Sequence, residues 1–417
     1  MYSVLLLGMV KQNKMKIIRQ CRSDDDRICD FICVVIAGLY AVNILPWISS
    51  VINIQLDQVS VIIKIAIGVL FLFRMDIVLC RLNIQVIVFF ACTIVCSLLG
   101  LLLFPENNSY FTSTIITFIS SCLPTYIMLS VLRDYDILLN KLYKTSKILG
   151  ITNLFLFTFT QIVKLNLGVY SMGFGYACLL PSLVLILEII KKRSLIGIVS
   201  LVSFFLSIMT VGSRGPLLAV IFYVIIFFYK YNASNKRYIK LIVFFLLLVV
   251  VSWLMNPILN SINGLLTKSG IQSRTLSLLA QGTIHLGNRD IIFQTILDEV
   301  VRSPFSIRGI NAEYAIVGGY AHNLILELVY QFGIIFGSVI VIWIAIMVMK
   351  TLCLKKMNKD SHEQICLIFM CSSIFALMVS GSLWTMMDFW MWISAAITVK
   401  KVKKCNYSES VQKEMLR

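Results

Sequence analysis

Charge is what this chain has least of. Only 14% of its 417 residues are Asp, Glu, Lys or Arg, against 59% apolar side chains and a mean hydropathy of +0.89. Water-soluble domains carry about a quarter charged residues and cannot hide so much Leu, Ile, Val and Phe. That scarcity excludes a cytosolic enzyme, a disordered chain and a secreted disulfide scaffold, and leaves a polytopic membrane protein. Histidine is scarce too: His285, His322 and His362 are the whole complement, too few and too scattered for a histidine-built metal site. The 12 cysteines contain no CxxC and sit mostly in or beside apolar runs, where a thiol behaves as a small hydrophobe. A Walker loop and a GxSxG elbow are missing as well. The apolar run at 3–10 is short and is followed by basic residues, so no cleavable signal peptide is expected, with Met15 an open alternative as initiator.

What is there in abundance is apolar helix. A bilayer core of about 30 Å needs about 20 apolar residues per crossing. Apolar runs read against Lys/Arg clusters place spans at 31–53, 59–73, 83–104, 110–132, 149–164, 171–190, 194–210, 215–229, 241–256, 324–349, 365–384 and 386–399. The short fifth and twelfth are required by parity. Arg133, Lys141, Lys144 and Lys147 must share a side with Lys191, Lys192 and Arg193, as must Lys355–Lys356 and Lys400–Lys401. With both termini inside, the outer segments hold only Lys164, Arg214, Lys268, Arg274, Arg289, Arg302 and Arg308 of the 37 basic residues. This bias is the positive-inside signature. The net charge of +17 is therefore mostly topology and calls for no nucleic-acid partner.

The fold expected is all-α and polytopic, with about 12 transmembrane helices and one large outer loop between the ninth and tenth. Its parts are a basic cytoplasmic N-terminus (1–30), helices one to nine (31–256), an extracytoplasmic loop (257–321), helices ten to twelve (322–399) and a cytoplasmic tail (400–417). The loop has no cysteine to staple it and one amphipathic helix around 290–301. It must therefore fold against the membrane domain.

On an outer side nearly free of basic residues, the arginines stand out. Arg214 lies in Gly212-Ser213-Arg214-Gly215-Pro216, Arg289 in Gly287-Asn288-Arg289-Asp290 at a helix start, and Arg308 in Ser306-Ile307-Arg308-Gly309. A guanidinium keeps its charge and matches diphosphate oxygens with a forked donor array. Several converging would hold a diphosphate leaving group without a metal. The competing reading is that each snorkels to headgroups or caps a carboxylate. His322 opens His322-Asn323-Leu324-Ile325-Leu326-Glu327, where the polar loop meets the tenth span. Its unperturbed pKa suits abstraction of a proton from an attacking hydroxyl; the bland alternative is an interfacial histidine bonded to a carbonyl. Asn323 and Glu327 share one face of that helix, which leaves Glu327 better placed to orient neighbours than to touch His322. Lys64, Glu188 and Asp388 are intramembrane charges, either functional or paired internally. Gly333 and Gly337 form a GxxxG expected to pack helices. The short first outer loop offers only Asp57, which argues against an acidic metal-dependent glycosyltransferase site.

Layout and motifs together resemble the O-antigen polymerase and O-antigen ligase superfamily of bacterial envelope polysaccharide enzymes. The likeness rests on Ser213-Arg214-Gly215 opening a span and Asn288-Arg289 before an amphipathic helix. It rests also on Ser303-Pro304-Phe305 leading to Gly309, and on Ala321-His322-Asn323-Leu324 running into Gly333–Gly337. It covers residues 200–345, lacks the family's usual second glycine at 306–309, and has a loop on the short side. What the resemblance implies is a metal-independent, cofactor-free glycosyl transfer at the outer leaflet of the bacterial cytoplasmic membrane. The donor would be an oligosaccharide on undecaprenyl pyrophosphate. Arg214 and Arg289 would hold the pyrophosphate, and His322 would be general base, with Arg308, Asn323 and Glu327 in support. A polymerase making O-antigen or capsule is favoured, with the pathway's flippase and chain-length regulator as partners. A ligase transferring glycan to lipid A core is the first alternative. A flippase for the same lipid-linked sugars is the alternative of another class, although flippases have short loops and repeat symmetry.

Overall fold

The computed structural model describes residues 2–52, 56–162, 171–211, 215–231, 289–354 and 360–398. Every regular element among them is a helix. Six are long and apolar enough to cross a membrane: Arg22–Ser49, Ile84–Leu103, Pro105–Val131, Met172–Lys192, Leu324–Leu352 and Ser361–Val379. Gln58–Leu72, Leu195–Met209 and Gly215–Lys230 are apolar but shorter. Helix Ile84–Leu103 is almost wholly uncovered, with Ile84, Val88, Leu98 and Leu102 exposed. Apolar side chains on that scale are stable only against lipid, so the protein is membrane-embedded. The stretch 241–256, expected as a ninth span, lies outside the described residues, as do 257–288 and the tail.

Apolar side chains of many helices meet in one core, with Ile32, Met128, Leu129, Leu183, Leu187, Phe369 and Trp392 all buried. Polar knots fix the register. Tyr40 donates to Asn153 Oδ1 at 3.0 Å, and Asn153 Nδ2 reaches Ser203 Oγ and Ser207 Oγ at 2.8 Å each. Interhelical hydrogen bonds of this kind replace the hydrophobic drive that lipid does not supply. Gly150 sits so close to Ser200 that a Cβ there would fall 2.3 Å from its side chain.

Contacts sort the chain into two ends. At one end Arg81 pairs with Asp24 at 3.3 Å and with Asp25, and Lys141 pairs with Asp26 at 2.8 Å and Asp30 at 2.6 Å. Lys147 meets Glu188 at 2.9 Å, and Lys191 meets Gln364 at 2.7 Å. At the other end, residues 104–114 meet the segment that follows helix Arg289–Arg302. Asn107 Nδ2 donates to the Arg308 carbonyl at 2.8 Å, and Asn311 Nδ2 donates to Thr114 Oγ1 at 2.6 Å.

Two irregularities shape this second end. A five-residue π turn, Phe118–Cys122, interrupts the crossing Pro105–Val131; such bulges re-aim side chains. Gly333 has φ 72 and ψ 168 inside Leu324–Leu352, so the helix is broken there. The Pro304 carbonyl accepts from Ile334 N at 2.8 Å, filling the break with the segment after helix Arg289–Arg302. The GxxxG expected to pack helices is therefore something else: Gly333 makes a turn that only glycine adopts readily, and Gly337 lets the first half pass close. A Cβ at Gly337 would lie 2.6 Å from the Leu328 carbonyl. What remains after the break, residues 334–352, is still long enough to cross at about 1.5 Å per residue.

Candidate functional site

Helix Arg289–Arg302 turns Ile296 and Val300 inward, four residues apart on one face. They form a small separate core with Ala312, Ala321 and Tyr330. The strap 303–323 is thus folded onto the first half of helix Leu324–Leu352 by its own apolar cluster.

Arg308 is the pin of that strap. Its Nη2 donates to the carbonyls of Glu299 at 2.8 Å and Ser303 at 3.0 Å, and Nη1 to Tyr330 at 3.3 Å. Its guanidinium also lies 4.6 Å from the Tyr330 ring centre. Its donors are committed to main chain, which leaves this arginine in a holding role. Gln331 is the second pin. Its Nε2 donates to both oxygens of Glu313 at 3.0 and 2.9 Å, and its carbonyl accepts Trp384 Nε1 at 2.9 Å. Glu313 is fully buried, and burial raises its carboxyl above the usual range despite the Gln331 donor. Glu327, also fully buried, accepts from Ser382 Oγ at 2.6 Å and from Leu383 N at 3.3 Å. It ties Ser382 and Leu383 to the first turn of helix Leu324–Leu352 and makes no hydrogen bond to His322. Asn323 caps helix Leu324–Leu352, accepting from Ile325 N at 2.9 Å and Leu326 N at 3.2 Å.

Between these pins sits His322, with φ 53, a backbone conformation that side chains seldom adopt. The surrounding cap and core hold it there, and strain of that kind gathers at working sites. The ring is 4.2 Å from that of Tyr320, and Nδ1 is buried with no hydrogen-bond partner. Burial first, then the charge of Arg289, push its pKa down to about 4, with the Val379 backbone opposing. The imidazole is therefore neutral at pH 7, with a ring nitrogen able to take a proton. Arg289 differs from Arg308 in kind. Among the described residues its side chain makes one hydrogen bond, Nη2 to Met172 Sδ at 3.3 Å, and no ion pair.

The structure thus brings Arg289 and His322 together, with Asn323, Glu327 and Arg308 in the scaffold around them. Arg214 lies outside the described residues. Sequence reading missed Glu313, Gln331, Ser382 and Trp384. Gln331 carried a signal, since it lies four residues beyond Glu327 on the same helix face. The others are joined only by tertiary contact. Among the described residues, no three His, Cys, Asp or Glu side chains gather as they would around a metal ion.

Compared with known protein families, with curated proteins and with solved structures, the chain matches none.

Proposed function

We propose that the protein is a polysaccharide polymerase of the bacterial cytoplasmic membrane, crossing it about twelve times with both termini inside. It joins oligosaccharide repeat units carried on undecaprenyl pyrophosphate. The observation that carries this reading is an arginine with no ionic partner among the described residues whose charge acts on a neutral histidine, the buried Nδ1 of which has no hydrogen-bond partner. His322 stands where the strap meets a membrane helix, and Arg289 opens the helix before the strap, near enough for its charge to act on the imidazole. Transfer of a glycosyl group needs those two things: a cation for the departing diphosphate and a base for the incoming hydroxyl.

In the proposed step, the acceptor hydroxyl oxygen bonds to the anomeric carbon of the donor while His322 takes its proton. The bond from that carbon to the pyrophosphate oxygen breaks, and undecaprenyl pyrophosphate leaves with the electron pair. Arg289, joined by Arg214, holds the developing charge bidentately. Diphosphate bound at Arg289 also cancels part of the positive field that depresses His322. The base is thereby strengthened when the donor is in place.

The test is a gene deletion complemented with wild type or His322→Ala and read on a surface-polysaccharide gel. The expected deletion phenotype is loss of long ladders with single units still attached, restored by wild type and not by His322→Ala. Loss of all attached sugar with lipid-linked polymer accumulating would make the protein a ligase acting on lipid A core. Units trapped facing the cytoplasm would make it a flippase. Full ladders from His322→Ala would remove the catalytic role of that residue.

A further inference from the structure

Below the strap, a cavity of about 390 Å³ opens among the crossings, and Tyr320, the ring neighbour of His322, forms part of its wall. Lys64 faces it from helix Asp57–Leu72, and Asp388 faces it from helix 387–398. Lys64 lies seven residues into its helix, about 10 Å at 1.5 Å per residue. On the same helix Val61, Ile62 and Ile65 are exposed, whereas Ile67 is buried. Lys64 thus shares its helix's inward side rather than the lipid side.

A lysine at that depth is costly unless something answers its charge. Its amine donates to Thr117 Oγ1 at 3.2 Å, and among the described residues no carboxylate lies within ion-pair reach of it. Asp388 does not neutralise it directly; it accepts from Ser372 Oγ, while still lining the cavity. The rest of the wall mixes apolar side chains, Ile36, Leu39 and Leu180 among them, with Tyr40, Tyr176, Asn43 and Ser382. Asn43 Nδ2 donates to the Leu39 carbonyl and Ser382 Oγ to Glu327, so it is their oxygens that can accept from sugar hydroxyls.

We propose that this chamber binds an acidic sugar of the glycan, with Lys64 on the sugar carboxylate and Asp388 accepting from its hydroxyls. The inference rests on the polymerase reading and names a substrate class for it: repeat units containing a uronic acid or a comparable sugar acid. A diphosphate fits the chamber less well. It would bring more negative charge toward Asp388 and leave the hydroxyl-binding wall unused, whereas a uronate uses both charges.

The test is binding to the purified full-length protein, with a glucuronate-containing disaccharide and a neutral disaccharide of the same size as probes. The acidic probe is expected to bind about tenfold or more tighter, the worth of one charge-assisted hydrogen bond. Lys64→Arg should keep that preference; Lys64→Gln and Lys64→Met should each abolish it. Asp388→Asn should weaken both probes. Equal binding of the two sugars by wild type overturns the proposal without any variant. So does preference retained in both uncharged Lys64 variants. Displacement of the acidic probe by undecaprenyl pyrophosphate, mirrored by loss of pyrophosphate binding in Lys64→Gln, would reassign the lysine to the leaving group. Failure of the polymerase reading shows separately. Ladders unaffected by His322→Ala would end it while the sugar preference stood.

Discussion

Arg289 and Arg308 are chemically identical and do different work. Arg308 has its fork filled by the Glu299, Ser303 and Tyr330 carbonyls, whereas among the described residues Arg289 donates only to a thioether. Arg289→Lys keeps the charge and loses the bidentate fork. It should lower polymer synthesis by about a hundredfold to a thousandfold, a typical cost for a lost donor to developing charge. Charge itself is read by pH. In the free protein His322 sits at about 4, held down by burial and then by Arg289. The acid limb of kcat/KM reports the free protein, and that of kcat the bound complex. An anion at Arg289 favours the protonated imidazole, so the kcat limb should lie at higher pH than the kcat/KM limb. Arg289→Met should move the kcat/KM limb upward, and Arg289→Lys should leave it in place; coincident limbs in wild type would break the link between the two residues. The distinction between the arginines was not legible in the sequence. Both lie within two residues of a glycine, and the partners that occupy Arg308 are main-chain carbonyls, which every residue has. Glu313 was hidden for a similar reason, since its value to the site depends on Gln331, eighteen residues away.

At the scale of elements, the break at Gly333 decides how the strap meets the membrane. Without it, helix Leu324–Leu352 would run straight, and the Pro304 carbonyl would have no free N–H to accept from. A Cβ at 333 would meet the Phe305 carbonyl oxygen at 3.0 Å, in a backbone region that L residues avoid. Gly333→Ala should therefore cost about 1–3 kcal/mol from the conformation alone. Gly68→Ala is the control, since nothing lies within 4 Å of its added methyl. Melting in detergent should show a clear loss for Gly333→Ala and none for Gly68→Ala. Equal melting temperatures would mean that the turn is not a constraint. The helices themselves were largely legible, because apolar runs of bilayer length have few other fates. The break was not. A glycine pair four apart has the same pattern whether two helices pack on it or one helix turns at it, and only the carbonyls of Leu328, Pro304 and Phe305 distinguish the two.

Across the whole molecule, the division into two ends is the property from which function would follow. Lys141, Lys147 and Lys191, expected on one side from their spacing along the chain, do gather at one end, joined by Asp26, Asp30, Glu188 and Gln364. The strap, Arg289 and His322 gather at the other with residues 104–114. Charge parity made this separation readable, because each crossing reverses the side and basic residues are retained inside. Two positions in the structure report which end faces outward. Gly318 and Gly319 form an open turn of the strap, with nothing within 4 Å of an added Cβ at either. Arg193 ends helix Leu179–Lys192 in a left-handed cap on the basic end. Exposed turns of this kind tolerate insertion. An epitope placed between Gly318 and Gly319 should bind antibody on intact spheroplasts, and one between Arg193 and Ser194 only after permeabilisation. The reverse pattern would put Arg289 and His322 in the cytoplasm, away from any glycan assembled at the outer leaflet. It would end the polymerase reading however well the side chains suit it.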